Sequence, residues 1–202
     1  MTTIYLIRHS LSTDKVLFGS FMTPLNRNMK RPLSEEGIKI AQEKLNNEEF
    51  DNVDFIYSSE YRRAGDTAKI LADRIHKEII VDDRFNERIH GITKSYDELP
   101  KNFEELQLND PYYRFNNGET AQEVGDRMNS AIIDILYHQK DKKIAIFTHS
   151  TATLFLLKKL TDVTTNGMCS FKGTQYFDNN WSPVETFKLT FEDIELKNIE
   201  RL

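Results

Sequence analysis

Two histidines stand directly after short apolar runs: His9 after Ile4-Tyr5-Leu6-Ile7-Arg8, and His149 after Ile144-Ala145-Ile146-Phe147-Thr148. Imidazole has an ordinary pKa of about 6.5, so near neutral pH it is available as an uncharged nucleophile without a metal. Arg8 precedes the first histidine, and Arg63 lies five residues beyond Ser58. The fixed charge and planar fork of arginine suit a phosphate group. Hydroxyl residues follow each histidine, Ser10 and Ser12, then Ser150 and Thr151. Free backbone N–H groups at such helix or loop starts welcome an anion. The combination points to phosphoryl chemistry. A blander account has each histidine ending a strand against a loop carbonyl, with Arg63 solvated beside Arg62. Neighbours in a strand face opposite ways, so Arg8 and His9 can share a site only if the strand ends there.

These residues need elements to position them. Ile4–Ile7 reads as a buried strand, and residues 14–33 as irregular, broken by Gly19, Pro24 and Pro32. Ser34 ahead of Ile38, Ala41 and Leu45 predicts an N-capped helix to about residue 47. A strand over 53–57, a helix over 63–75 and a short strand over 79–81 follow. Residues 84–117 are polar and aromatic, and their structure is legible only loosely. Tyr112, Tyr113 and Phe115 there would roof a pocket or pack under a long loop. A long helix is expected over 119–138, a buried strand over 143–147, and a helix carrying Leu154, Leu157 and Leu160. The tail predicts strands near 172–178 and 184–191 and a final short one. Strands alternating with helices predict a three-layer α/β/α fold with a largely parallel central sheet, in one domain spanning residues 1–202. Ligands bind such sheets beyond the carboxyl ends of the strands.

At this point the residues resemble a family. Leu6-Ile7-Arg8-His9-Ser10-Leu11-Ser12 resembles the arginine–histidine–glycine signature of the histidine phosphatase (phosphoglycerate mutase-like) superfamily. Tyr57 to Ala68 is similar to its second signature, with the family arginine at Arg63. Pro32 to Gly37, Asn86-Glu87-Arg88 with Gly91, Gly118-Glu119-Thr120 and Thr148-His149-Ser150 resemble further family segments, in order along the chain. Ser10 and Ser150 stand where glycine is usual, Leu11-Ser12 replaces a glutamate–threonine pair, and Asp14-Lys15 occupies a stretch that often holds asparagine. The resemblance implies a phosphohistidine at His9, with Arg8, Arg63 and His149 neutralising the transferred group. It also implies Glu87 as proton donor and later as base for water, the alternative being that Glu87 pairs with Arg88 or another surface cation. Glu119 is a candidate substrate contact or a carboxylate favoured by a helix N-terminus. Ser12 and Ser150 are candidate substrate contacts. Arg27, Lys30 and Arg31 would recognise a second anionic group or form a solvated basic loop.

The expected activity is metal-independent hydrolysis of a small phosphorylated metabolite, with no cofactor. Without an obvious lid insertion, hydrolysis is favoured over a mutase, which must shield its phosphoenzyme from water. Two readings of other classes stand beside it: a metal enzyme using His9, His149 and Glu87, disfavoured by the arginines, and an inactive phospho-ligand binding module. Ser150 as a hydrolase nucleophile lacks the glycine-flanked elbow. A net charge of −5 argues against a nucleic-acid partner, and no apolar run approaches a membrane span. The lone cysteine, Cys169, and an N-terminus without a basic, cleavable apolar segment are read as cytoplasmic. Nothing in the sequence indicates an oligomeric state.

Overall fold

Ile4 to Ile7 are apolar on both faces because the strand is covered on both sides. The computed structural model describes residues 1–13 and 22–202. Strand β1 (Thr2–Arg8) sends Ile4 and Leu6 into one hydrophobic cluster and Tyr5 and Ile7 into another. The first cluster is shared with helices α5 (Ala121–His138) and α6 (Ser150–Leu160), and the second with α2 (Glu35–Leu45) and α3 (Arg62–Ile75). Strands β2 (Phe55–Ser58) and β4 (Lys143–Thr148) alternate in the same way. This is the three-layer arrangement expected.

The main sheet has six strands in the order β3-β2-β4-β1-β8-β9, with β3 at Ile79–Val81, β8 at Thr186–Glu192 and β9 at Glu195–Arg201. The first four are mutually parallel; β8 and β9 add antiparallel pairings on the far side. Because β1 and β4 are adjacent and in register, with Arg8 opposite Thr148, the residues that follow them emerge side by side.

Several expectations are corrected. Residues 24–30 form helix α1 (Pro24–Lys30) rather than irregular chain: Thr23 caps it by accepting from the Asn26 N–H, and Pro24 starts it. Proline at the first helical position is pre-shaped for a helix and breaks one only further in. The polar region contains α4 (Phe103–Asn109) and short 3₁₀ turns at 83–85 and 96–98. Tyr113 and Phe115 pack edge-on against Phe103, whereas Tyr112 is exposed. The strand expected near 172–178 is β7 (Thr174–Phe177), and it belongs to an additional small antiparallel sheet with β5 (Asp162–Val163) and β6 (Cys169–Phe171). The last strand of the main sheet, β9, is as long as β8. Asp14, Lys15 and Gly19 lie outside the described residues. Among the described residues no helix is long and apolar enough to cross a membrane.

Candidate active site

Strand β1 ends at Arg8, which meets the geometric condition for Arg8 and His9 to serve one site. The His9 N–H donates to the Thr148 carbonyl across the parallel pair, and the His9 and His149 rings stand 5.1 Å apart, edge to face. Ser59, just beyond β2, donates its backbone N–H to Phe147, bringing a third strand end to the same place. Arg63, in the first turn of α3, lies between the imidazoles. Its Nε donates to His9 Nε2 at 2.9 Å, its Nη2 to His149 Nδ1 at 3.1 Å, and its Nη1 to the Asn28 carbonyl and Oδ1.

Arginine can only donate, so these bonds assign the tautomers. His9 carries its proton on Nδ1, donated to the Ser10 carbonyl at 2.6 Å, and keeps a lone pair on Nε2. His149 carries its proton on Nε2, donated to Ser59 Oγ at 2.8 Å. Burial, and then the Arg63 charge, hold both imidazoles well below the ordinary histidine pKa. His90, outside this cluster, is pushed down to about 3 by burial and the neighbouring Arg88. The unfolded chain protonates these rings near pH 6.5 and the folded chain does not, so acidification favours unfolding. Stability is expected to fall from about pH 6.5 downward, by up to about 1.4 kcal/mol per pH unit for each fully buried ring. Thermal melts at pH 7, 6 and 5 check this; a midpoint that holds or rises at pH 5 contradicts it.

Arg8 joins electrostatically: its charge also depresses both imidazoles, while its Nη1 donates to the Trp181 and Ser182 carbonyls. Ser10 is buried and turned away from the imidazoles, its hydroxyl donating to the Gly37 carbonyl at 2.7 Å. Gly37 cannot be replaced there, since a Cβ would sit 2.1 Å from the Leu11 carbonyl oxygen. Ser12 pairs with Leu33 in an isolated β-bridge, and Ser150 opens α6 beside His149.

Glu87 is buried, with Oε1 accepting from the Arg88 and Ala152 backbone N–H groups, the latter in the first turn of α6. It lines a cavity of about 360 Å³ with Tyr61, Asn86, Glu119 and Arg127. Glu119 is held by Arg127 through both oxygens and accepts from the Ile89 N–H. Arg127 also donates to the Arg84 and Asn86 carbonyls, which fixes the backbone carrying Glu87. A second cavity, about 230 Å³, is lined by Arg27, Asn28, Arg31, Lys94, Ser95 and Tyr96. Arg27 is exposed and donates to the Met22 carbonyl, while Arg31 ends α1 and its charge reaches His9 and Arg63. Lys30 neighbours a cavity with Glu60 and Arg62 instead.

Four contributors escaped the sequence reading: Asn28, Ser59, Thr67 and Arg127. Thr67 accepts the Ser10 N–H and donates to the Arg63 carbonyl, tying the two signature segments together. Its spacing of four from Arg63 on one helix was a usable signal. Among the described residues no three His, Cys, Asp or Glu side chains gather into a group that could hold a metal ion.

The arrangement can present a lone pair on one imidazole to an electrophile, surrounded by fixed positive charge and adjoined by a buried carboxyl. The histidine phosphatase superfamily (branch 1) profile matches residues 4–180. A Bacillus subtilis protein named "Uncharacterized phosphatase PhoE" is 29% identical over 164 residues, covering 79% of this chain and 78% of that protein. A mycobacterial glucosyl-3-phosphoglycerate phosphatase, solved with inorganic phosphate, superposes with a TM-score of 0.72 at 18% identity, covering 96% of this chain and 94% of that one. A phosphoserine phosphatase mutant from Entamoeba histolytica, solved with phosphoserine, gives 0.69 at 18% identity over 99% and 97% of the two chains. The chain is therefore a member of the histidine phosphatase superfamily, and an enzyme of phosphatase type.

Proposed function

We propose that this phosphatase hydrolyses a small phosphorylated metabolite through a phosphohistidine at His9, without a metal ion. The observation that carries the reading is the His9 ring: Nδ1–H is locked to Ser10, and the Nε2 lone pair faces the guanidinium that would receive the phosphate oxygens. Nε2 attacks phosphorus as the bond to the leaving oxygen breaks, and Glu87 gives that oxygen a proton. Glu87 then takes a proton from water, which attacks the phosphohistidine and releases phosphate. Arg8 and Arg63 neutralise the equatorial oxygens. A phosphate dianion counteracts the effect of Arg63 on His149, so that ring takes up a proton and joins them. Ser12 and Ser150 would contact the substrate, and Glu119 walls the cavity beside Glu87. A cytoplasmic setting fits the single buried thiol, Cys169.

The leaving group bears a carboxylate in this reading. Arg27, Arg31 and Lys94 line one recess beside the Asn28 that holds Arg63, in a chain of net charge −5. Phosphoserine and glucosyl-3-phosphoglycerate, named for the two solved relatives, both carry one. Steady-state kinetics should favour phosphoserine or 3-phosphoglycerate over phosphoethanolamine by about tenfold in kcat/KM, equivalent to roughly 1.4 kcal/mol. The double variant Arg27→Ala, Lys94→Ala should narrow that ratio while leaving p-nitrophenyl phosphate turnover unchanged. An equal rate on both substrate classes removes the carboxylate assignment. Isomer formation from 3-phosphoglycerate in place of free phosphate makes the enzyme a mutase.

A further inference from the structure

The C-terminal strand reaches the phosphate-binding arginine through one buried carboxylate. Glu185 is almost fully enclosed, and Arg201 on β9 grips it bidentately, Nε to Oε1 at 2.6 Å and Nη2 to Oε2 at 3.1 Å. The same carboxylate accepts both the backbone N–H and the hydroxyl of Ser182, at 3.0 and 2.7 Å. Ser182 and Trp181 in turn supply the carbonyls that hold Arg8 Nη1, and the Glu185 carbonyl accepts the Arg8 backbone N–H at 2.8 Å. Arg201 further donates to Asp178 and to the Asn180 carbonyl, closing the loop at its other end. Lys44, from α2, ties the outer side of the loop through Ser182 Oγ and the Pro183 carbonyl.

Val184, within this loop, is buried and has φ of 55°. A β-branched residue rarely adopts that left-handed conformation, and such strain persists where the surroundings over-determine it. Arg8 meanwhile keeps a buried Nε with no hydrogen-bond partner among the described residues. The guanidinium is thus anchored by one nitrogen, with donor capacity left over for an anion.

We infer that Glu185, clamped by Arg201, is a positioning residue that sets the Arg8 guanidinium for phosphate binding. The inference rests on the proposed role of Arg8 as a phosphate ligand. Its chemistry is specific. A carboxylate is needed because two oxygens must serve the Ser182 donors and the arginine fork together. The amide of Glu185→Gln keeps the shape but has one acceptor oxygen.

A double-mutant cycle tests it, with orthophosphate affinity measured by titration calorimetry alongside the KM for p-nitrophenyl phosphate. Glu185→Gln should weaken orthophosphate binding on the order of tenfold in the wild-type background, and should have almost no effect when Arg8 is already alanine. A merely structural role lowers the melting midpoint without that dependence on Arg8. If Glu185→Gln does not fold, Arg201→Gln takes its place in the cycle, since it releases the same clamp. An unchanged orthophosphate affinity in the folded variant, or an equal loss with and without Arg8, overturns the inference. If Arg8→Ala itself leaves orthophosphate binding intact, the role of Arg8 fails and the inference falls with it. A wild type that binds orthophosphate but turns over no phosphomonoester refutes the hydrolase reading alone.

Discussion

His9→Ala is expected to lower kcat/KM for p-nitrophenyl phosphate by about 10⁴-fold or more, the scale on which removing a covalent nucleophile acts. The bonds at stake are few: His9 makes one from Nδ1 to the Ser10 carbonyl and receives one from Arg63. The backbone that places it, through Thr148, survives the substitution. The variant should therefore fold, and a thermal melt establishes that the lost turnover is chemical. Quenching the wild type during turnover with ³²P-labelled substrate and holding it under alkaline conditions should leave label on His9, absent from the variant. EDTA should leave wild-type turnover unchanged. Because the His9 ring stays uncharged well below pH 6.5, the acid limb of kcat/KM should lie below that value too. A folded His9→Ala enzyme with more than a tenth of wild-type activity would end the phosphohistidine mechanism.

The strand-end histidines were legible because a run apolar on both faces marks a buried parallel strand, and the first charged residues after it must lie at its end. Adjacency of β1 and β4 was not legible, since the order of strands in a sheet follows from crossovers that no local pattern encodes. Asn28 was hidden for a related reason. Its segment reads as breaker-rich, yet Thr23 and Pro24 start a helix that delivers the Asn28 carbonyl and side chain to Arg63. Ser10, suspect as a replacement for glycine, proved to have a partner in Gly37, a residue 27 positions away. Glu119 was read as either a substrate contact or a helix-end carboxylate. The sequence could not show that Arg127, in the second turn of α5, would reach back past the helix start to hold both its oxygens. The strand near 172–178 was legible and is β7, but its partners β5 and β6 escaped because they are two and three residues long and largely half-buried or exposed.

Arg63 should be the next most sensitive position after the nucleophile, for a different reason. Its side chain is buried and makes four hydrogen bonds, to two imidazoles and to both oxygens of Asn28, while its charge lies over the Tyr61 ring at 4.8 Å. A phosphate reaching His9 Nε2 must take over the donors that now face the two rings. In the proposed mechanism the guanidinium, already desolvated, stands where negative charge would develop. Arg63→Ala is expected to reduce kcat by about 10³-fold, and Arg63→Lys by about 10², because a compact ammonium cannot span both rings and Asn28 in one plane. Both imidazoles are depressed first by burial and second by this charge, so their titrations, followed by NMR of the ring protons, should move upward in Arg63→Ala. The acid-induced loss of stability should flatten accordingly, since a raised folded-state pKa narrows the gap from the unfolded value. Activity within tenfold of wild type in Arg63→Ala would remove the guanidinium from the chemistry. A large loss of activity without movement of either histidine would mean that Arg63 acts only by holding α1 through Asn28.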